Sequence, residues 1–392
     1  MNSRERMVAA MLGQPVDRPA IAPVYPDLYL EADVRRRVAE HYLRLLRGKG
    51  QLRVDPPQYV GVWSQAICGA FEALGAPPDW LCWMPELPPT SWLAECVLET
   101  DGQALCQVHQ PSGVRLRLDP HAAQNPHGAD LWDRPLPSTR EEVDRLVPVP
   151  EADEILASGR LALLSALVHE LGKTTFVAAG MGTPFPECYA LLGFQGLMLM
   201  PIENPDLFTY LLGRTEASAL AHAEAFLQIG VHGIFVEESF TSADLISEDL
   251  YERFVLSSER ALVQRIRASG KPVVLYVTGD ILPRLQHVIE LAPTAFAFEE
   301  PKKGYRLDLG EIAAAIGKRF AVFGNLDATR IKDWEDRELE REVQSQFHAG
   351  QAALGFVFST GSPLPLDTPR ERVAALVRTV QAVRASDSPA RP

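Results

Sequence analysis

Two glutamate doublets, Glu237-Glu238 and Glu299-Glu300, each close a short apolar run, in GIFVEE (233–238) and AFAFEE (295–300). Side chains alternate along a strand, so at most one carboxyl of each doublet readily faces a given side of a sheet. If one from each shares a partly dry cavity, repulsion and desolvation raise a carboxyl pKa and yield a proton donor near neutral pH. Pairing with Lys302, Lys303 or Arg306, or capping of the next helix, is the competing structural role. Other apolar runs also end in polar groups: Tyr25 and Asp27; Tyr276, Thr278 and Asp280; Asn325 and Asp327; Ser359, Thr360 and Ser362. From these we expect Glu237, Glu238, Tyr276, Glu299 and Glu300 to supply acids. Tyr25, Asp27, Thr278, Lys302, Asn325 and Ser359 are the expected substrate contacts. Lys302 can hold an anionic group or stay solvated, and Asn325 can bind substrate or satisfy loop backbone. Asp327 reads as a helix N-cap.

Other chemistries find less support. His121 and His127 lie in a polar loop with no third ligand nearby, and no Ser-His-Asp set or phosphate-binding loop can be assembled. The five cysteines, Cys68, Cys82, Cys96, Cys106 and Cys188, are scattered, with no Cys-x-x-Cys pair. They suggest neither a disulfide framework nor a thiolate zinc knuckle, and a reducing cytoplasm is the expected compartment. Trp80, Trp83 and Trp92 are candidates for an aromatic lid, or for packing an insert against the main body.

The elements that must position these groups follow from hydrophobic pattern. A helix is expected from Ser3, its N-cap, to Leu12, then a strand at 20–24 and a helix at 33–47. A further strand is expected at 57–63. Residues 77–92 carry five prolines and three tryptophans and read as a long surface excursion. Residues 93–118 alternate between two turn signals and read as a small antiparallel meander. A polar loop (119–138) and an acidic helix near 140–146 follow. Apolar runs then recur at 176–181, 233–238, 273–279, 295–300, 321–325 and 355–361, separated by amphipathic helices such as 206–229, 250–269, 281–291 and 338–353. Six β-α units plus the two earlier strands make eight, so the expected fold is a single (β/α)8 barrel over 1–384. It would carry an insert at about 77–138 and a flexible tail at 385–392. An open doubly wound sheet is the alternative, but no Gly-x-Gly-x-x-Gly follows a strand.

The chain of 392 residues is long enough for that core, with 46% hydrophobic and 23% charged residues. Thirty-eight basic against 51 acidic residues give a net charge of −13. Nucleic acid and anionic membranes would be repelled without a local basic patch, and none is evident. The greasy segment 188–202 is interrupted by Gly193, Gln195, Gly196 and Pro201, so it is not read as a membrane span.

Several segments together resemble the uroporphyrinogen decarboxylase superfamily: SRERMVAAMLGQPVDRPAIAPVY near the start, GTPF (182–185), ENPDLFTYLL (203–212), the run 230–266, GNLDATRI (324–331) and the closing FSTGSPLPLDTPRERVAALV. The resemblance implies a (β/α)8 barrel. It also implies either decarboxylation of a tetrapyrrole or methyl transfer with corrinoid proteins. True decarboxylases carry an arginine-rich segment after the first strand, where this chain reads VYPDLYLEADVRRR and offers Asp27 and Glu31. Thiol-methylating members carry a His-x-Cys-Gly zinc site and a later cysteine. Here Tyr276 and Thr278 stand in the first places, and GSPLP (361–365) has no cysteine, so zinc is not expected.

What remains is a corrinoid-dependent methyltransferase of the O-demethylase type. It would move a methyl group from a small methoxylated or methylated donor to a cob(I)alamin-carrying partner protein, with a Glu or Tyr as acid. A decarboxylase acting on another acid and a non-catalytic tetrapyrrole- or corrinoid-binding barrel are the alternatives. The sequence leaves oligomeric state open, a homodimer included.

Overall fold

The structure is a computed structural model that describes residues 1–100, 104–118, 136–302 and 304–383. The expectations for His121, His127, Lys303 and the tail therefore lie outside the described residues, as does most of the polar loop.

Twelve strands are described: β1 (Ala20–Ile21), β2 (Gln51–Arg53), β3 (Trp80–Trp83), β4 (Cys96–Thr100), β5 (Leu105–His109), β6 (Arg115–Arg117), β7 (Phe176–Gly182), β8 (Gly233–Glu238), β9 (Val273–Val277), β10 (Ala295–Phe298), β11 (Ala321–Phe323) and β12 (Phe356–Phe358). Eight form one parallel sheet in the order β1-β12-β11-β10-β9-β8-β7-β3. The remaining seam is bridged by Asp79, whose N–H donates to the Ile21 carbonyl at 2.8 Å and whose carboxylate accepts the Ile21 N–H at 3.0 Å. The result is a (β/α)8 barrel. β2, β4, β5 and β6 form a separate antiparallel sheet in that order, so the expected meander exists and gains a strand from 51–53.

Two expectations are corrected. Residues 57–63 are not a strand but lie in the helix Pro56–Glu72. Asp55 caps it by accepting the Gln58 N–H, prolines occupy its first turn, and Tyr59, Val62, Ala66, Ile67, Ala70 and Phe71 are buried at helical spacing. The second barrel strand is instead Trp80–Trp83, all four residues buried, inside the stretch read as a surface excursion. Its prolines flank the strand rather than interrupt it, at 77, 78 and 85.

Smaller corrections concern helix starts. Asn2, not Ser3, caps the helix Ser3–Met11, in a reciprocal capping box with Glu5. The next helix begins at Pro26 and runs to Leu46, so Tyr25 and Asp27 stand at a helix N-terminus. The later apolar runs are strands where expected, and the helix Arg140–Leu146 is present. The expected helix at 250–269 breaks at Val255 into Glu248–Phe254 and Leu256–Ala268.

Alternation along the strands separates two cores. Trp80, Cys82, Phe176, Ala178, Phe235, Val274, Tyr276, Ala295, Ala297, Ala321, Phe323 and Val357 fill the barrel, joined from the N-terminal end by Met7 and Met11. Their neighbours Leu81, Val177, Ile234, Leu275, Phe296, Val322 and Phe358 point outward against the helices. Among the described residues no helix is long and apolar enough to cross a membrane.

Candidate active site

The same alternation decides which strand-end groups meet. On β8, Phe235 faces the barrel interior and Val236 the helices, so Glu237 turns inward and Glu238 outward. On β9 the inward series is Val274 and Tyr276, which carries on to Thr278. On β10 it is Ala295 and Ala297, which carries on to Glu299.

Tyr25, Phe235 and Tyr276 form an aromatic floor beneath Glu237. Tyr25 meets Phe235 and Tyr276 edge-on at 5.5 and 5.7 Å, and Phe235 stacks on Tyr276 at 5.5 Å. Tyr25 holds a left-handed backbone, φ 49° and ψ 52°, which is strained for a bulky residue by about 1–3 kcal/mol. That turn places the ring inside the barrel, where its hydroxyl faces Glu237 without making a hydrogen bond of good geometry. Tyr276 donates to the Gly361 carbonyl at 2.8 Å. Burial pushes both phenols well above their ordinary range, with the Glu237 charge adding to the effect, so both remain protonated.

The Glu237 carboxyl is raised, first by desolvation and then by like charges on Glu187 and Glu299, while Tyr25 and Ser239 oppose the shift. Glu238 is fully buried on the outer side, where Thr183 donates to one oxygen and the other has no partner. There it meets the equally buried Glu259, which accepts from Tyr251 at 2.7 Å. Desolvation dominates both, pushing Glu238 well up and Glu259 to about 7. The two glutamates of the doublet therefore serve different regions.

Glu299 is paired at both oxygens. One accepts the Gly279 N–H at 2.8 Å and the other accepts Lys302, whose ammonium also reaches Ser362 at 3.1 Å. Lys302 is thus engaged by the rim rather than presented to an anion. Glu300 accepts from Ser362 at 2.8 Å, and its second oxygen is buried against Gly361, where a Cβ would lie 2.5 Å away. Asn325 joins loops outside the barrel, donating to the carbonyls of Glu299 and Leu307 and accepting from Gln346. Ser359 is buried and donates to the Thr360 carbonyl at 3.1 Å. Neither Asn325 nor Ser359 is brought to the Tyr25–Glu237–Tyr276 group by a hydrogen bond. Asp27 is buried with one oxygen unpartnered. Desolvation raises it to about 7 against the backbone N–H groups of Leu28 and Met84.

The tryptophans form no lid. Trp80 lies in the barrel and donates to the Pro23 carbonyl, Trp83 donates to the Pro85 carbonyl, and Trp92 stacks on His109 of the small sheet at 4.6 Å. Two site residues escaped sequence reading. Cys82 was hidden in the proline-rich stretch; burial raises its thiol well above the usual range, with Asp27 and Glu237 as charged neighbours. Glu187 lies beyond the strand end, in a short helical turn after GTPF, and its carboxyl rests on Gly182, where a Cβ would lie 2.4 Å from it.

The donor set does not suit a thiol-activating zinc ion. Tyr276 and Thr278 offer neutral oxygens where imidazole and thiolate would be needed, and the Tyr276 hydroxyl is committed to Gly361. Arg35, Arg36 and Arg37 pair with Glu31, Asp33 and Glu40 along their own helix.

Comparison with known proteins agrees with this architecture. The chain is 25% identical over 373 residues to a uroporphyrinogen decarboxylase of Ralstonia nicotianae, covering 92% of this chain and 96% of that one. It is 25% identical over 280 residues to the methylcobamide:CoM methyltransferase MtaA of Methanosarcina barkeri, covering 70% and 75%. A solved methyltransferase from Methanosarcina mazei has the same fold, with a TM-score of 0.64 at 18% identity, covering 97% of this chain and 98% of that one. The curated relatives are enzymes. The sequence profile of the uroporphyrinogen decarboxylase (URO-D) family matches residues 130–383, more than half of the chain, and the protein belongs to that family.

Proposed function

We propose that this chain is a corrinoid-dependent methyltransferase of the demethylase type. It would transfer a methyl group from a small O- or N-methylated donor to a corrinoid carried by a separate partner protein. The observation that carries this reading is the inward, half-buried Glu237, a carboxyl with carboxylate neighbours and, among the described residues, no ion pair of its own. Desolvation and like charges shift such a group toward its protonated form, and a methyl ether needs a proton at its oxygen as the carbon–oxygen bond breaks. A polycarboxylate would meet the same carboxyls, while Arg35, Arg36 and Arg37 are paired along their own helix.

The reduced corrinoid is a co-substrate and supplies the nucleophile that takes the methyl carbon. Glu237 gives its proton to the leaving oxygen, which departs with the bonding electron pair as an alcohol or phenol. Tyr25 and Tyr276 form the aromatic floor beneath the carboxyl and keep water from it. Partner docking over the mouth is supported by the rim: Leu28 in the first turn of the helix Pro26–Leu46, and Leu245, Leu282 and Leu366 in the connections after β8, β9 and β12, are each at least 40% exposed.

A second reading, a carboxy-lyase acting on a less highly charged acid, draws on the decarboxylase relatives that align with over 90% of the chain. The two are separated by incubating the protein with cob(I)alamin and a panel of methyl ethers and methylamines. Formation of methylcobalamin supports methyl transfer. Carbon dioxide release without cobalt chemistry supports the lyase. Tight tetrapyrrole or corrinoid binding without turnover would indicate a binding protein.

A further inference from the structure

A cavity of about 780 Å3 opens beside the end of β7, between that strand, the loop after β3 and the helix Pro205–Gln228. Its volume suits a small organic ligand. Met84, Met181, Leu191, Phe226 and Ile155 make much of the wall apolar. Its charged groups are unbalanced: the carboxylates of Glu86, Glu154 and Glu187 face one guanidinium, Arg160, and one imidazole, His222. Arg160 and His222 both lean toward Glu86, at 3.7 and 3.5 Å.

Glu187 has no such cation of its own. Protein crowds it on most sides, yet it remains exposed because its open surface faces this cavity. Desolvation raises its carboxyl and Glu86 adds to the shift, while the Gly182 N–H and His222 oppose it. On its other side Glu187 is a like-charge neighbour of Glu237. Gly180 and Gly182 let Met84 and Glu187 pack directly on the strand, because a Cβ would lie 2.3 Å from Met84 at the first and 2.4 Å from Glu187 at the second. On the barrel side of Glu237, the buried Tyr25 hydroxyl, 7% exposed as a residue, has no hydrogen-bond partner of its own.

From this we infer that the cavity binds an organic ammonium cation, its positive head against Glu187 and its alkyl groups against Met84, Met181 and Phe226. The inference rests on the proposed function only in making this ammonium the anchor of the methyl donor. Because Glu187 is a charged neighbour of Glu237, a donor anchored there is held on the side of the barrel where Glu237 supplies the proton for the leaving group. A cation supplies the charge the cavity lacks, and thioether and phenyl faces favour alkylated ammonium over a hydrated metal ion. An anionic donor would be repelled by the same three carboxylates.

The test is isothermal titration of the intact protein with choline and with its neutral isostere 3,3-dimethylbutan-1-ol, without corrinoid. Choline should bind saturably and at least tenfold more tightly than the isostere, and Glu187→Gln should weaken choline at least tenfold. Wild-type affinity for choline should also fall as pH is lowered and Glu187 takes up a proton, an arm that needs no variant. Equal binding of the isostere, an unchanged E187Q affinity in folded protein, affinity that does not fall with pH, or no saturable binding would each overturn the inference. Methyl transfer from an uncharged ether without choline binding would remove the cation site and leave the proposed function standing. Choline binding with no methyl transfer from any donor would do the reverse.

Discussion

The two ends of the barrel treat buried charge in opposite ways. At the N-terminal end Asp79 is fully buried, and Arg6 and Arg18 both donate to it, while Arg6 also pairs with Asp17. The same carboxylate accepts the Ile21 N–H and so helps to close the sheet. At the C-terminal mouth, among the described residues, Asp27 and Glu237 have no ion pair, and Glu299 has Lys302 as its cation. A buried charge with complete partners contributes to structure. Carboxyls deprived of counter-charge are shifted toward their protonated forms and are suited to proton transfer.

Removing charge at the closed end should therefore cost stability. Asp79→Ala would strand two guanidiniums and open the β1–β3 seam, with an expected loss of about 3–5 kcal/mol in chemical denaturation. A loss below about 1 kcal/mol would break the contrast between the ends. Gly361→Ala probes the rim, because a Cβ there would lie 2.2 Å from the Glu300 backbone nitrogen. We expect a loss of about 1–3 kcal/mol from overpacking, with displacement of the carbonyl that Tyr276 bonds.

The outward pair, Glu238 and Glu259, gives a pH signature. Its folded-state pKa values lie above the unfolded ones, so its contribution to stability is complete below about pH 4.5 and is lost as pH rises through about 7. Urea unfolding of Glu259→Gln at pH 5 and 7.5 should show a smaller loss across that interval than the wild type. An equally steep loss would place the two carboxyls out of contact. Arg36→Ala removes the exposed guanidinium that pairs with Glu40 and with the buried Asp33, which keeps Arg37 and Arg370, and its effect on the urea midpoint should correspond to less than about 1 kcal/mol.

Much of this was legible in sequence because local pattern and global fold agree in the second half. There, continuous apolar runs such as GIFVEE and VVLYVTG became β8 and β9, and their polar ends became the mouth. The first half was harder. The stretch after Pro56 is rich in Val, Tyr and Trp and mimics a strand, yet its buried positions follow helical spacing. Trp80–Trp83 is short and set among prolines, so its burial comes from pairing with β7 rather than from local propensity. In the site, alternation foretold that each doublet would divide, but not which member would face inward, since register depends on the neighbouring strands. Glu187 was out of reach because its proximity to Glu237 comes from tertiary folding.

The central claim is that Glu237 supplies the proton for methyl transfer, and the most direct test is the rate of cob(I)alamin methylation by wild type and Glu237→Gln across pH. With an ether donor, the wild-type rate should fall as pH rises and Glu237 ionises. The folded variant should be slower by roughly 10²–10⁴-fold and lose that pH dependence. A variant with wild-type rates and an unchanged profile would contradict the account.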